Sequence, residues 1–397
     1  MAHGVLAAVR PQTVRQANLS MVLDQLRRRG PQSRSALVEA TGLTRTAIGG
    51  LVAELVELGL VVEEAPLRDG TPGRPSPVAR VNGDGVGVLA VEIGVDELTV
   101  GVVALDGTIV RKRRVARARD RISLPEVMAD IVTSVDELGC REPVTDGRRL
   151  VAAGVAVPGL VRSDGLVVAV APNMQWVEVE LAHRLRTGLG LPVPVVVGND
   201  ADLGALAEAT FGVRADHMVF VSGEVGVGGS VIAAGLRLSG RNGFAGEFGH
   251  MPVNPTGHPC SCGSIGCWES EIGERALLRR AGLDVDGGVP AVDELLERAP
   301  AGDPVALAAL EEEGRWLGIG IAGLVNAFDP DVVVLGALLH RILPYVRSSM
   351  ESELARRGIH SLERSVPVVG AAFGRDATLM GAAELAFSPL LADPAMS

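Results

Sequence analysis

Residues 247–269 have the sequence EFGHMPVNPTGHPCSCGSIGCWE and contain three of the four cysteines of the 397-residue chain. Cys260, Cys262 and Cys267 have the spacing C-x-C-x4-C, and His250 lies ten residues before the first of them. Three thiolates and one imidazole are the donor set of a closed tetrahedral zinc site, in which no position remains for water. The pattern therefore predicts a structural zinc ion held by these four side chains.

Two alternatives remain open at this motif. His258 is closer to the cysteines in sequence and is a second candidate for the fourth ligand. The three thiols are alternatively ordinary buried side chains, although such a dense cluster in a chain with one other cysteine, Cys140, favours a metal. Gly263 and Gly266 favour it as well, because they allow the backbone to wrap around an ion.

The charge of the chain is unevenly distributed. Residues 1–80 contain ten Arg against seven Asp and Glu, a net charge of +3, whereas the whole chain has a net charge of −11. An acidic remainder repels nucleic acid, so any DNA contact is expected at the front. No apolar run approaches the roughly 18 residues of a membrane-spanning helix, and no secretory signal is evident. The sequence thus predicts a cytoplasmic protein of two or three domains without a membrane partner.

The first 80 residues have the pattern of a winged helix. The run Arg27–Arg29, followed by a glycine, is expected to end a first helix. Ser33 is placed to cap a second helix and Thr44 a third, with a glycine-containing turn between them. Residues 60–62 and 77–81 are predicted strands on either side of a turn. Four apolar residues have the spacing of one face of the first helix: Leu19, Val22, Leu23 and Leu26.

The third helix is the candidate recognition helix of this motif. Arg45 near its start is the best candidate for a bidentate guanine contact, and Thr46 for a thymine methyl or a phosphate. Arg74, between Gly73 and Pro75 at the tip of the wing, is a candidate for the minor groove. The alternative is a small three-helix interaction domain with solvated arginines. The full set of candidate DNA-binding residues is Ser33, Arg34, Thr44, Arg45, Thr46 and Arg74.

The remainder of the chain alternates short apolar runs with glycines. Three strands are predicted at 86–93, 98–105 and 108–115, and a similar strand–turn–strand unit recurs at 218–234. A helical stretch follows each unit, the second one near 269–281. The repetition predicts two related α/β lobes with a cleft between them. The glycine-rich turns are able to cradle phosphate, but most such turns serve only to reverse the chain.

Several motifs of the body resemble the ROK family of repressors, open reading frames and kinases. The resemblance lies in residues 247–250 (EFGH) and 260–269 (CSCGSIGCWE), the family's zinc signature, and in residues 198–201 (GNDA) and 157–159 (VPG). It covers most of residues 85–390, and the front is similar to the winged helix of the family's regulators. The resemblance implies an α/β fold: an N-terminal winged helix-turn-helix and a two-lobed, ribonuclease-H-like (actin-like) body.

The resemblance also implies a sugar site beside the zinc ion. In kinase members, the residue matching Asp200 is the general base for the attacked hydroxyl. His250 would hold zinc through one ring nitrogen and a sugar hydroxyl through the other, which favours it over His258 as the ligand. Asp200 alone is alternatively the N-cap of a helix over 201–209. The residues implied to contact sugar hydroxyls are Asn173, Asn199, Asp200, Glu247, His250 and Glu269.

The nucleotide side departs from the pattern of the kinases. The family's first phosphate loop, D-x-G-G-T, corresponds to residues 92–96 (EIGVD), so that Val95 adds bulk and Asp96 adds negative charge. Glu224 adds a further carboxylate to the second loop. The two adjacent glycines that the family has on the adenosine side correspond to Gly336 and Ala337 here, so that one of them is replaced by alanine. An intact sugar side, a damaged ATP side and an attached DNA-binding module together favour a regulator over an enzyme.

We therefore expect a sugar-responsive DNA-binding regulator, with a repressor favoured and an activator left open. Residues 1–81 would form the DNA-binding domain with its linker, and residues 82–397 the sugar-binding body. Its partners would be operator DNA, a sugar or sugar derivative, and a second copy in a homodimer or homotetramer, since one winged helix occupies one half-site. The alternatives are an active sugar kinase with an accessory domain and a zinc-stabilised scaffold that binds neither ligand.

Overall fold

The computed structural model describes residues 11–64, 77–119, 122–142, 144–358 and 365–396. Within these ranges no helix is long and apolar enough to cross a bilayer. The elements of the N-terminal domain are α1 (Pro11–Arg29), β1 (Gln32–Ser33), α2 (Arg34–Thr41), α3 (Arg45–Glu57), β2 (Val61–Glu64) and β3 (Val78–Val81).

The N-terminal domain is a winged helix, as predicted. Ser33 caps α2 by accepting a hydrogen bond from the Ala36 amide, and Thr44 caps α3 by accepting one from the Ala47 amide, both at 3.2 Å. Strand β3 pairs with β1 on one side and β2 on the other, both antiparallel. The turn predicted between β2 and β3, including Arg74, lies outside the described residues.

The body contains two lobes. The elements of the first lobe are β4 (Val86–Ile93), β5 (Glu97–Ala104), β6 (Ile109–Ala116), α4 (Leu124–Glu137), β7 (Val144–Thr145), β8 (Arg148–Val157), β9 (Leu160–Val161), β10 (Val168–Ala171), β11 (Trp176–Val179), α5 (Leu181–Leu189), β12 (Val195–Asn199) and α6 (Asp200–Thr210). Those of the second lobe are β13 (Met218–Gly223), β14 (Val227–Ala233), β15 (Leu236–Arg237), α7 (Glu269–Ile272), α8 (Glu274–Arg280), α9 (Gly288–Arg298), α10 (Pro304–Phe328), β16 (Val332–Gly336), α11 (Ala337–Arg357) and β17 (Val368–Gly370). The last helix, α12 (Ala377–Ala392), returns to pack on α6, β4 and β8.

The main sheets of the two lobes have the same topology. The order in the first lobe is β12-β8-β4-β5-β6, with a parallel half from β12 to β4 and an antiparallel half from β4 to β6. The second lobe repeats it as β17-β16-β13-β14-β15. The expectation of two related α/β lobes is confirmed. The turns β4–β5 and β13–β14 occupy equivalent places, and both face the cleft between the lobes.

Two sequence predictions need correction. The helix expected near 269–281 is two helices, because Gly273 is extended and a Cβ there would lie 2.7 Å from the Glu269 carbonyl oxygen. Arg27 is not a solvated cation at the end of α1, since its side chain is completely buried. The preceding residue, Leu26, belongs to the predicted apolar face of α1, and all four residues of that face are buried. One hydrophobic cluster continues from this face into α12.

Candidate functional site

A deep cleft separates the two lobes and encloses about 1280 Å³ of space, part of it open to solvent. Strand ends and turns of both lobes line it, because each main sheet directs a hairpin turn towards the gap. The structure brings together in this one cleft all six residues that the sequence assigned to sugar contacts: Asn173, Asn199, Asp200, Glu247, His250 and Glu269.

The junction of β12 and α6 positions two of these residues. The Asn199 Oδ1 accepts a hydrogen bond from the Asp202 amide at 3.0 Å, and its Nδ2 donates one to the Gly159 carbonyl at 2.9 Å. Asn199 is therefore the N-cap of α6, and the prediction that Asp200 is the cap was wrong. Asp200 instead occupies the first turn of α6, where its carboxylate accepts a hydrogen bond from the Ala201 amide at 2.8 Å.

Asp200 has an acidity suited to proton transfer near neutral pH. Desolvation in the cleft, opposed by the Ala201 amide and aided by the neighbouring charges of Asp202 and Glu247, raises its pKa to about 6. A carboxylate of this kind accepts hydrogen bonds from sugar hydroxyls and is able to act as a general base. The side chain thus fits either a binding or a catalytic role.

The four predicted metal ligands form one cluster. One ligand atom from each of His250, Cys260, Cys262 and Cys267 lies within 4.8 Å of the others. The His250 Nδ1–Cys260 Sγ distance is 3.7 Å, and the Cys262 Sγ–Cys267 Sγ distance is 3.6 Å. A tetrahedral zinc ion with bonds of about 2.3 Å to sulfur requires edges of about 3.8 Å, so this donor set fits zinc. His258 is exposed and lies outside the cluster.

Close backbone packing shapes the loop that carries the cysteines. Gly263 and Gly266 have φ angles of 88° and 69°, which β-carbons disfavour. Gly266 also lies against Asn254, and a Cβ there would be 1.5 Å from the Asn254 carbonyl oxygen. The two glycines thus allow the tight path of the loop, as the sequence predicted.

His250 and Glu269 connect the metal cluster to the cleft. The His250 Nδ1 faces the cysteines, while its Nε2 lies 3.9 Å from the Glu247 carboxylate on the cleft side. One Glu269 oxygen accepts hydrogen bonds from Cys260 Sγ at 3.3 Å and Ser261 Oγ at 3.4 Å. The other accepts one from the Val227 amide at 3.1 Å, which joins the metal loop to the second hairpin.

The nucleotide side of the cleft differs from the sequence interpretation in one respect. Asp96, expected to repel phosphate, accepts two hydrogen bonds of 2.6 Å from Arg119, which also bonds Glu274 of the second lobe at 2.6 Å. The charge of Asp96 is therefore compensated. Arg119 and Glu274 were not predicted from the sequence, because Arg119 follows a basic strand that resembles a solvated face and its partner is distant in the chain.

Glu92 and Glu224 are two acidic side chains of this region whose pKa values are raised. The Glu92 Oε2 is buried without a hydrogen-bond partner, and desolvation followed by repulsion from Glu224 holds its pKa well above the usual value. Glu224 is open to the solvent of the cleft. Desolvation by the surrounding walls and repulsion from Asp200 nevertheless raise its pKa to about 7. Both groups therefore hold a proton more readily than an ordinary glutamate, and an anion placed beside them would raise their pKa values further.

The candidate DNA-binding residues lie on α2 and α3. Thr44, Arg45 and Thr46 are exposed at the start of α3. Arg34 forms two hydrogen bonds with the Glu63 carboxylate of β2, at 2.8 and 2.7 Å, which holds it beside the wing. Ser33 is committed to capping α2. The geometry thus leaves the start of α3 as the surface best placed to enter a groove.

Two protein families match this chain. The ROK family matches residues 88–388, and the MarR family matches residues 20–70. The xylose repressor of Bacillus subtilis is 30% identical over 380 residues, which cover 95% of this chain and 97% of the repressor. The glucokinase of Streptomyces coelicolor is 32% identical over 327 residues, or 78% of this chain and 99% of the glucokinase.

Solved structures agree with these matches. A ROK family transcriptional regulator, a homologue of the Escherichia coli Mlc protein, superposes with a TM-score of 0.77 at 26% identity, covering 96% of this chain and 97% of that one. A ROK family glucokinase from Streptomyces griseus in complex with glucose and AMPPNP superposes with a TM-score of 0.67 at 31% identity, covering 76% and 99%. With the family match, the shared two-lobed fold and the N-terminal winged helix, the chain belongs to the ROK family.

Proposed function

We propose that this protein is a sugar-responsive transcriptional repressor whose body binds a sugar as effector. The observation that carries the proposal is the presence in one chain of a winged helix and a cleft lined by carboxylates and amides, with similarity to a xylose repressor across both. A fold shared with kinases does not by itself identify a function. The combination of the two parts favours regulation.

In this proposal the sugar lies between the β12–α6 junction and the metal loop. Asp200 and Glu247 accept hydrogen bonds from its hydroxyls, His250 offers its Nε2, and Asn173 and Glu269 complete the polar wall. Asn199 supports the site mainly through the cap of α6, because both ends of its amide already have protein partners. A polar wall of this kind rejects ligands that lack the matching hydroxyls.

Zinc is the metal proposed for the cluster of His250 and the three cysteines. When bound, it supplies no reaction chemistry there but fixes the loop that orients His250 and Glu269 towards the cleft. Closed sites with three thiolates are structural in other proteins, since no ligand position remains open. Loss of the ion is therefore expected to disturb the sugar site through the position of the loop.

DNA binding is proposed for the start of α3. Arg45 and Thr46 would contact base edges, Thr44 a phosphate near the cap, and Arg34 and Ser33 the backbone beside them, with Arg74 as a further candidate on the wing. Because one winged helix occupies one half-site, we propose that a homodimer, or a tetramer built from dimers, binds a palindromic operator.

An active sugar kinase is the second candidate function. The pKa of Asp200 near 6 and the similarity to a glucokinase favour it. Glu92 and Glu224 oppose it, because they place carboxylates where a triphosphate needs positive charge. We therefore propose that the protein is not an enzyme. Coupled ATP turnover with a panel of hexoses and pentoses tests this, and turnover that Asp200→Asn abolishes would establish the kinase.

The proposed repressor is tested with operator DNA selected from random sequence by the full-length chain. Fluorescence anisotropy at fixed salt then compares operator affinity with and without D-xylose, D-glucose and N-acetylglucosamine. The expected result is that at least one sugar changes the affinity. A chain that selects no DNA sequence, or whose affinity no sugar in a wider panel changes, contradicts the proposal.

A further inference from the structure

The walls of the cleft are acidic and contain no Lys or Arg among the described residues that line it. His250 is the sole basic side chain in that lining, and its ring faces the cysteines through Nδ1. Sugar hydroxyls need carboxylate acceptors, but a bound phosphate group needs cationic or amide donors. The carboxylates of the lining are Glu92, Asp200, Asp202, Glu224, Glu247 and Glu269.

Three arginines near the cleft are already ion-paired. Arg119 is held between Asp96 and Glu274, and Arg237 pairs with Asp202 at 2.6 Å. Arg375, on the adjoining nucleotide side, pairs with Glu97 at 2.8 Å. A phosphate that recruited one of these guanidiniums would leave a carboxylate unpaired, so the arginines do not supply a phosphate site.

Three of these carboxyl groups lie near one another in the cleft. Glu224 and Asp200 both lie close enough to Glu92 to raise its pKa, and Asp200 also raises the pKa of Glu224. In the proposed pose, one sugar hydroxyl faces Asp200. A phosphate on that hydroxyl would lie towards Glu224 and Glu92, whose Oε2 already lacks a donor.

From this geometry we infer that the cleft takes an unphosphorylated sugar as effector and excludes its phosphate ester at the hydroxyl facing Asp200. The inference rests on the proposed function and narrows its effector to an uncharged class. The same carboxylates would repel the phosphates of a nucleotide as well as a sugar phosphate. The inference therefore also distinguishes this cleft from a nucleotide-binding site.

Titration calorimetry on the zinc-loaded full chain tests the inference with matched pairs. The pairs are D-glucose and glucose 6-phosphate, and N-acetylglucosamine and its 6-phosphate. We expect one free sugar to bind and its phosphate to bind about 100-fold more weakly. A phosphate that binds as tightly as its free sugar overturns the inference and leaves the repressor standing. If nothing in the panel binds and operator affinity is also unaffected, the proposed function itself fails.

Glu224→Gln gives the test of mechanism. At pH 8, above the pKa of Glu224, it removes one wall charge without removing a proposed hydroxyl contact, and Glu224 is open enough to solvent for the variant to fold. The ratio between the affinities for the free and the phosphorylated sugar is expected to decrease by about tenfold. The control is Glu311→Gln on the exposed surface of α10, which should leave the ratio unchanged. An unchanged ratio in Glu224→Gln overturns the role of the wall charges.

A separate observation concerns the junction between the winged helix and the body. The buried Arg27 of α1 donates two hydrogen bonds to Glu384 of α12, at 2.8 and 2.7 Å, and one to the Leu105 carbonyl at 2.9 Å. Its guanidinium also lies 5.0 Å from the ring centroid of Phe211 and 5.4 Å from that of Phe387. One side chain thus contacts the end of α6 and the middle of α12.

Both of these helices begin at the cleft. Helix α6 starts at Asp200 and ends just before Phe211, while α12 starts beside Thr378, which also lines the cleft. They pack tightly along their length, since a Cβ at Gly381 of α12 would lie 1.8 Å from the Leu203 carbonyl oxygen of α6. A change at the cleft that moves either helix therefore moves the partners of Arg27.

We propose that the Arg27–Glu384 pair transmits sugar binding from the cleft to the DNA-binding domain. Helix α1 packs directly on α3, the proposed recognition helix, so a shift of α1 changes where α3 meets DNA. This proposal also rests on the proposed function and concerns its regulation. The guanidinium fork specifies one relative position of α1 and α12, which apolar side chains would not specify.

The test is the double variant Arg27→Met/Glu384→Leu, which replaces a buried ion pair by apolar groups and is expected to fold. Sugar affinity by calorimetry and operator affinity without sugar should match those of the parent, whereas the effect of D-xylose or D-glucose on operator affinity should be lost. Arg27→Lys is the second variant, which retains the charge but not the fork. Arg28→Met, at an exposed ion pair of α1, is the control. If sugar still changes the operator affinity of the double variant as much as that of the parent, the proposal is overturned. If sugar does not change the operator affinity of the parent, the proposed function fails as well.

Discussion

His250 is the residue at which the metal cluster and the cleft meet. Its Nδ1 lies beside a cysteine and its Nε2 beside Glu247, so that one ring serves both sites. A metal at Nδ1 fixes the orientation of the ring and leaves Nε2 for a ligand in the cleft. The zinc ion and the sugar are therefore expected to depend on each other, although their binding groups differ.

Cys262→Ser should remove the zinc ion, because serine oxygen is a poor replacement for a thiolate ligand. We expect about one zinc ion per chain in the parent and none in the variant, with a lower Tm and a weakened sugar response. Metal analysis and thermal denaturation measure these quantities. The control is Cys140→Ser, which lies outside the cluster and should retain the metal. Freshly purified parent protein without zinc contradicts the assignment.

Glu224 should give the folded chain a specific pH dependence. An acid with a raised pKa in the folded state favours folding below its unfolded pKa, and this contribution is lost as the pH rises through the folded value. For Glu224 this window extends from the usual value of 4.5 to about 7.

The Tm difference between Glu224→Gln and the parent should therefore be small at pH 5 and positive at pH 8. Solvent in the cleft screens the charge and keeps the gain modest. Thermal unfolding in saturating zinc measures it at both pH values. A difference that does not vary with pH is inconsistent with the raised pKa.

At the scale of elements, glycine allows α6 and α12 to approach closely. Gly381→Ala would bring a methyl group against the backbone of α6 and should destabilise the chain by about 1–3 kcal/mol. Gly323→Ala is a matched control in the interior of α10, where no atom lies within 4 Å of the added Cβ. It should stabilise the chain by up to about 1 kcal/mol. Chemical denaturation measures both, and equal effects would refute the role of close packing.

Helix α3 carries the prediction for DNA. Arg45→Ala should weaken binding to the selected operator by about 1–3 kcal/mol and relax specificity at one position, if the side chain contacts a base. Arg298→Ala, an exposed arginine of α9 in the second lobe, is the control and should leave binding unchanged. Anisotropy titrations on matched and mismatched operators measure both. An unchanged operator preference in Arg45→Ala removes this residue from the contact surface.

Local signals predicted the elements well. The caps Ser33 and Thr44 and the strand Val86–Ile93 lie where the sequence indicated, because capping side chains and apolar runs act over a few residues. The metal cluster was predictable for the same reason, since its ligands occupy one short segment. The prediction for the Asp200 cap missed by one residue, because neighbouring Asn and Asp both cap helices well.

Contacts between distant segments could not be predicted in this way. Glu384, the partner of Arg27, lies hundreds of residues away in the chain. Glu274, a partner of Arg119, lies in the opposite lobe. A sequence signal for Arg27 did exist, because it lies four residues after the buried Leu23 on the same face of α1. Charge near a helix end nevertheless favoured a solvated position. The compensation of Asp96 by Arg119 was hidden for a similar reason.

At the scale of the whole molecule, the DNA-binding domain and the body are joined by a shared core. The hydrophobic cluster that includes Leu26 and Leu55 also includes Leu379 and Phe387 of α12. Such continuity allows a change in the body to reach the winged helix without a flexible linker. A regulator of this construction should show reciprocal coupling between its two ligands, because each biases the same equilibrium of helix positions.

The most direct measurement of this central claim is the affinity for the effector sugar on and off the operator. Calorimetry gives the sugar affinity of the free chain and of the chain saturated with operator DNA, and anisotropy gives the operator affinity with and without sugar. We predict that operator binding changes the sugar affinity by the same factor by which sugar binding changes the operator affinity, and that this factor exceeds about five. A sugar that binds in the cleft with the same affinity on and off the operator contradicts the account.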